Sequence, residues 1–159
     1  MKELVEAEEP SEYSKARYRD NYAYTRWLKN PNASVHKEML AMVEERKRNN
    51  DREGLLSNYS HLSDYYSKTE PAKAKEFALA YLHTAKEIGN VNSESDALKK
   101  LLSLSNASEN EKYLERFLFL NDSLKDANLK TRYRFAKIRF DEERKQQQIA
   151  LLEAENTTM

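Results

Sequence analysis

Three histidines, His36, His61 and His83, are the natural candidates for metal ligation or proton transfer in this chain. No two of them lie four residues apart on one helical turn, and His36-Lys37-Glu38 does not fit the zincin pattern. His61 and His83 could face each other across one hairpin, but surface positions are the simpler expectation. Acidic residues number 27, so close carboxylate pairs arise by chance. None sits in an apolar stretch that would raise a pKa for general-acid work. Ser57, Ser60, Ser63, Ser67, Ser103 and Ser105 read as helix-face or turn hydroxyls, and no histidine–acid partner for them is legible. The sequence therefore predicts no catalytic residue, no metal and no cofactor, and the chain reads as a non-enzyme.

Composition removes further classes. Gly54 and Gly89 are the only glycines, which excludes glycine-rich phosphate loops and dinucleotide fingerprints. The absence of cysteine excludes disulfides, thiolate metal sites and a thiol nucleophile. Lys+Arg and Asp+Glu are both 27, and this balance argues against nucleic acid. No apolar run approaches the roughly 20 residues a membrane span needs, and Met1 to Pro10 lacks the order of a signal peptide.

Two clusters invite a binding role. Tyr18, Tyr22, Tyr24 and Trp27 could form an aromatic docking surface. At helical spacing such a stripe is expected in the core, with Tyr13 and Tyr65 the more exposed tyrosines. Lys125, Lys130, Arg132, Arg134, Lys137 and Arg139 interleave with Tyr133, Phe135, Ile138 and Phe140, a stripe that could touch anionic lipid or nucleic acid. Asp141, Glu142 and Glu143 follow at once, and a helix carrying both signs is expected to be solvated.

The elements that must position these residues are helices, because the chain is 34% charged, glycine-poor and rich in Lys, Glu, Leu and Ala. A first helix opens at Pro10-Ser11 and runs to about Lys29, with Tyr18, Tyr22, Tyr24, Trp27 and Leu28 as its apolar side. Ser34 is the expected cap of a second, over about 35–49. A third covers about 53–67. Pro71 opens a fourth, which Gly89 closes. Ser93 caps a fifth over about 93–105. Asn106-Ala107-Ser108 leads into a sixth, and Asn121-Asp122-Ser123 either breaks it or lies inside one long helix reaching about Glu155.

Helical hairpins at near-equal spacing suggest a repeat. Tyr59-x2-Leu62-Ser63-x2-Tyr66 precedes Ala78-x3-Leu82-x2-Ala85. Leu98-x2-Leu101-Leu102-x2-Ser105 precedes Tyr113-x3-Phe117-x2-Leu120, and His36-x3-Leu40-x2-Val43 fits the second helix of a first hairpin. This resembles the tetratricopeptide repeat, over roughly residues 33 to 122. The turn between Tyr66 and Ala78 is about three residues longer than that pattern allows, Leu102 stands where a small residue is usual, and Tyr113 replaces an alanine. The resemblance implies an all-α fold of about three hairpins stacked as a superhelix, with a long C-terminal helix. Residues 1–10 are then a disordered or appended start, 11–122 the repeats, and 123–159 a capping or linker helix.

Tyr113 to Asn156 also resembles the last repeat and exit helix of tetratricopeptide sensor proteins from Bacteroidetes-type bacteria. There, such a helix leads to a membrane span and then a histidine kinase or a helix-turn-helix regulator. The implied function is a non-catalytic interaction module, the sensory segment of a two-component or transcriptional signalling protein; a free-standing scaffold is the alternative. The resemblance favours a periplasmic segment of an inner-membrane protein, with any membrane contact made through a span beyond Met159. A protein or peptide segment would lie in a concave groove lined by the first helix of each hairpin, touching Ser57, Ser60, Asp64, Asp96, Lys99 and Ser103. Leu129, Tyr133, Ala136 and Phe140 have coiled-coil spacing before Glu143 and Gln147 interrupt it, and Ile149 and Leu152 then begin an apolar pair. The first half of that helix is expected to cap the last repeat, and the second half to project as a linker or form a homodimer.

Overall fold

The structure, a computed structural model, describes residues 11–157. Within them the protein is all-α: α1 (Glu12–Lys29), α2 (His36–Arg48), α3 (Arg52–Tyr66), α4 (Pro71–Glu87), α5 (Val91–Leu104) and α6 (Ala107–Thr157), with no strand among the described residues. The expected start at residues 1–10 lies outside them. The chain divides into two units, one ending at Phe117 and one beginning at Leu118. In the first unit α1 packs on α2 and α3 on α4 as hairpins, and α3 is flanked by α1 and α5. The second unit is helix throughout its described length, so residues 121–123 do not interrupt α6.

Helices α1, α3 and α5 start where a short side chain accepts a hydrogen bond from an otherwise unpaired backbone N–H. Ser11 Oγ accepts from Ser14 N at 3.2 Å, Asp51 Oδ1 from Gly54 N at 2.8 Å, and Asn90 Oδ1 from Ser93 N at 3.0 Å. Ser93 is therefore inside α5 and is held by the cap rather than acting as one. Ser34 does not cap α2 either. Val35 occupies that place without a side-chain bond, and Ser34 Oγ lies 3.3 Å from His36 Nδ1. Pro71 starts α4, where its missing N–H costs nothing.

Two corners share one construction. Asn50 (φ 51°) follows α2 and Gly89 (φ 70°) follows α4, each in the left-handed region that reverses the chain. The next residue in each corner, Asp51 or Asn90, sends its N–H back 2.9 Å to the carbonyl of Arg46 or Ala85, then caps the following helix. These corners stand 39 residues apart, and burial repeats with that spacing. Ala16, Leu55 and Glu94 are buried, as are Asp20, Tyr59 and Leu98, and then Ala23, Leu62 and Leu101. On the second helices Val35, Met39, Met42, Val43 and Arg46 match Ala74, Ala78, Tyr81, Leu82 and Ala85.

This spacing corrects the register expected for the first hairpin. Met39, Val43 and Arg46 take the buried places, three residues beyond His36, Leu40 and Val43, because α2 buries a methionine and an arginine where α4 has alanines. The small side chains of α4 let it approach α3 closely enough for Ser63 Oγ to reach the Ala74 carbonyl at 3.0 Å. Phe77 then stacks on Tyr66, with centroids 5.9 Å apart. Leu62 and Leu101 have no accessible surface, and burial of each is worth about 2 kcal/mol.

Only part of the aromatic stripe of α1 packs inward: Tyr24 and Trp27 are half-buried against α3. Tyr18 is 69% exposed and Tyr22 53%, stacked on each other outside, and Leu28 is exposed as well. The buried stripe is Ala16, Asp20 and Ala23, whose small or hydrogen-bonded side chains allow α1 to lie close to α3. Tyr65 is half-buried against Trp27, Tyr66 and His36; the Tyr13 side chain lies outside the described residues. The large apolar residues of α6 from Leu129 to Phe140 are exposed.

Candidate partner-binding face

Helices α1, α3 and α5 lie side by side, and polar bonds cross both seams. Asp20 of α1 is fully buried. Its carboxylate accepts from Asn58 Nδ2 at 2.5 Å and stands 2.9 Å from His61 Nδ1, both on α3. Burying a carboxylate is costly unless its oxygens are bonded, and here both are. The His61 ring stacks on Tyr24 with centroids 3.8 Å apart. Tyr24 Oη donates to Asp64 Oδ2 at 2.9 Å, and Lys100 Nζ of α5 reaches Asp64 Oδ1 at 2.5 Å. One line of contacts, Asp20–His61–Tyr24–Asp64–Lys100, thus ties three helices together.

The electrostatics follow from that line. Burial, then the hydrogen bond to Asp64, pushes the Tyr24 phenol far above its usual range. Burial also raises the Tyr81 phenol, with the Asp96 charge adding to it. At the edge of the unit Arg116 Nε donates to buried Glu94 at 2.8 Å, and Lys75 holds Glu109 at 2.6 Å, which lowers the Glu109 carboxyl.

Beside the line opens a polar cavity of about 350 Å³ whose lining includes Arg17, Glu53, Ser57, Ser60, His61 and Ser93. At its base Arg46 is buried; its guanidinium donates to the Gly54 carbonyl, and its Nε lies 3.6 Å from Asp51. Hydroxyls, one imidazole, an exposed arginine and an exposed carboxylate suit a hydrophilic segment better than an apolar one.

The six groove residues expected from sequence fall as three pairs 39 residues apart: Ser57 with Asp96, Ser60 with Lys99, and Asp64 with Ser103. Ser57 and Ser60 line the cavity. Asp64 and Asp96 meet over Lys100, at 2.5 and 4.0 Å from its Nζ. Asp64 is therefore already engaged within the fold. Lys99 and Ser103 are exposed on α5, and Ser103 Oγ donates to the Lys100 carbonyl at 2.7 Å.

Sequence reasoning missed Asp20, Arg17, Glu53, Ser93 and Lys100, and had Tyr24 only as one member of an aromatic cluster. Asp20 carries no signal beyond lying four residues from Ala16 and three from Ala23 on a helical face. The histidines part company: His61 joins Asp20, His36 lies 3.4 Å from the Tyr65 hydroxyl, and His83 is exposed beside Glu87 at 3.4 Å. No cluster of three or more His, Cys, Asp or Glu side chains placed to hold a metal occurs among the described residues. No described helix is long and apolar enough to cross a membrane. Comparison with family models, curated proteins and solved structures found no match.

Proposed function

We propose that this protein is a non-catalytic, tetratricopeptide-like interaction module that takes a protein or peptide segment along α1, α3 and α5. One observation carries the reading: the 39-residue recurrence of buried positions puts Ser57 and Ser60 of α3 in register with Asp96 and Lys99 of α5, beside a polar cavity that the two serines line. Each helix pair buries one face against its neighbours and leaves the first-helix face open, as a stacked-hairpin binder requires. The resemblance of residues 113–156 to bacterial sensor proteins supports a further step, in which the module is the sensory segment of a signalling protein. The free-standing scaffold is the other form of the same reading.

The test is a peptide-display selection against the full chain. Ser57→Trp and Lys99→Glu serve as counter-targets, and His83→Ala, on exposed α4 surface, as the control. Selected peptides should lose roughly tenfold or more in affinity for the first two variants and none for the control, with circular dichroism unchanged in all three. Peptides that bind all four proteins equally would remove this face as the site. Asp64 is left intact because its loss would also release Tyr24 and Lys100.

A further inference from the structure

From Thr131 onward, one face of α6 carries a heptad seam whose large apolar residues are exposed. Thr131, Phe135, Ile138, Glu142, Lys145, Ile149 and Leu152 follow one another at alternating steps of four and three, the spacing that faces a second helix. Phe135 is 67% exposed, Ile138 58%, Ile149 41% and Leu152 54%. A helix that holds this much apolar surface on one seam in water needs a partner.

The seam itself selects the partner and its direction. Glu142 and Lys145 lie at its centre, with Ile138 and Phe135 on one side and Ile149 and Leu152 on the other. We infer that a second copy of this chain pairs with this face antiparallel, setting Phe135 against Leu152, Ile138 against Ile149, and Glu142 against Lys145 of the partner copy. Both central charges are then matched twice by symmetry, and the flanking Arg132 comes beside Glu153 of the other chain. A parallel pair would place Glu142 on Glu142 and Lys145 on Lys145, with Arg134 facing Arg139 across the flank. Sliding the antiparallel pair by one heptad would set Phe135 against Lys145 and Ile138 against Glu142. One orientation and one register therefore satisfy the whole seam.

Within its own helix Glu142 accepts only a 3.3 Å bond from Gln146, a contact that yields easily to a lysine. Leu129, Tyr133, Ala136 and Phe140 lie on the opposite side of α6 and take no part. The pairing stands apart from the reading of the α1–α3–α5 face. It favours the free-standing form of that reading, since two chains entering one membrane from this helix would run the same way.

The experiment uses the full chain, whose lack of cysteine gives a clean background. Phe135→Cys and Leu152→Cys proteins, differently tagged, are mixed and oxidised. The expected product is the mixed disulfide; self-disulfides of each variant in its place would show a parallel pair and overturn the inference. Independently, sedimentation of Glu142→Lys should show a dimer weakened by roughly tenfold or more, because lysine then faces Lys145. The charge swap Glu142→Lys with Lys145→Glu should restore it. A wild-type chain that sediments as a monomer, or a swap that fails to rescue while helicity is kept, would also overturn the inference.

Discussion

Tyr24 donates its hydroxyl hydrogen to a carboxylate that Lys100 already holds, so the phenol sits where ionisation would place a second negative charge beside Asp64. Its raised pKa has a definite consequence for stability. A group whose folded pKa lies above its unfolded value contributes in full below the unfolded pKa, near 10 for tyrosine, and loses that contribution as pH climbs toward the folded value. Tyr24→Phe should therefore cost about 1 kcal/mol at neutral pH, the net worth of one half-exposed bond to a charged acceptor. The gap between wild type and variant should shrink as pH rises above about 10. Urea melts of both proteins across pH 7 to 11 measure it, and a gap constant with pH would show that the phenol ionises as freely folded as unfolded. None of this could be read from the chain, where Tyr24 was one tyrosine among ten. Asp20 was hidden more deeply: a carboxylate in the middle of a helix reads as solvated, and only the arrival of Asn58 and His61 from another helix makes its burial tolerable.

The helices were more legible than the faces they bury. Pro71 and Gly89 marked the limits of α4 because their backbone preferences are local, and every break fell within a few residues of a polar run. The caps were misplaced by up to three residues because Asx side chains bond the third N–H of the helix. Asn90 thus claims the position that Ser93 advertises equally well. The buried face of α1 was misread since hydrophobicity pointed to Tyr18 and Tyr22, whereas close approach to α3 selected Ala16 and Ala23. The corner between α2 and α3 shows how tightly such an approach is set. A Cβ on Gly54 would collide with the Asp51 carboxylate and lie 2.8 Å from Arg46 Cδ, while one on Gly89 would meet open space and only a strained φ of 70°. Gly54→Ala should thus cost about 2 kcal/mol and Gly89→Ala about 1 kcal/mol. Denaturant midpoints would order the two, and an equal or reversed order would mean that the Arg46–Asp51 corner gives way without cost.

At the scale of the whole molecule the two units draw stability from different sources. The unit ending at Phe117 buries apolar side chains from α1 through α5, so exposing amides such as those of Leu62 or Leu101 requires most of that core to open. The unit beginning at Leu118 is helix whose large apolar residues from Leu129 to Leu152 are exposed. A helix of this kind is supported by propensity and by i,i+4 pairs alone, and such helices fray readily. Hydrogen exchange should accordingly separate the units. In dilute protein, amides of residues 125–154 should exchange orders of magnitude faster than those of α3 and α4. As concentration rises, protection should grow across 131–152 and leave the first unit unchanged, because only the paired seam gains buried surface and association stabilises by mass action. Substituting Ile138→Asp should remove the concentration dependence without slowing or speeding exchange in α3. Equal protection of both units at every dilution would mean that α6 is held by its own chain, and the apolar seam would then need another explanation than a second copy.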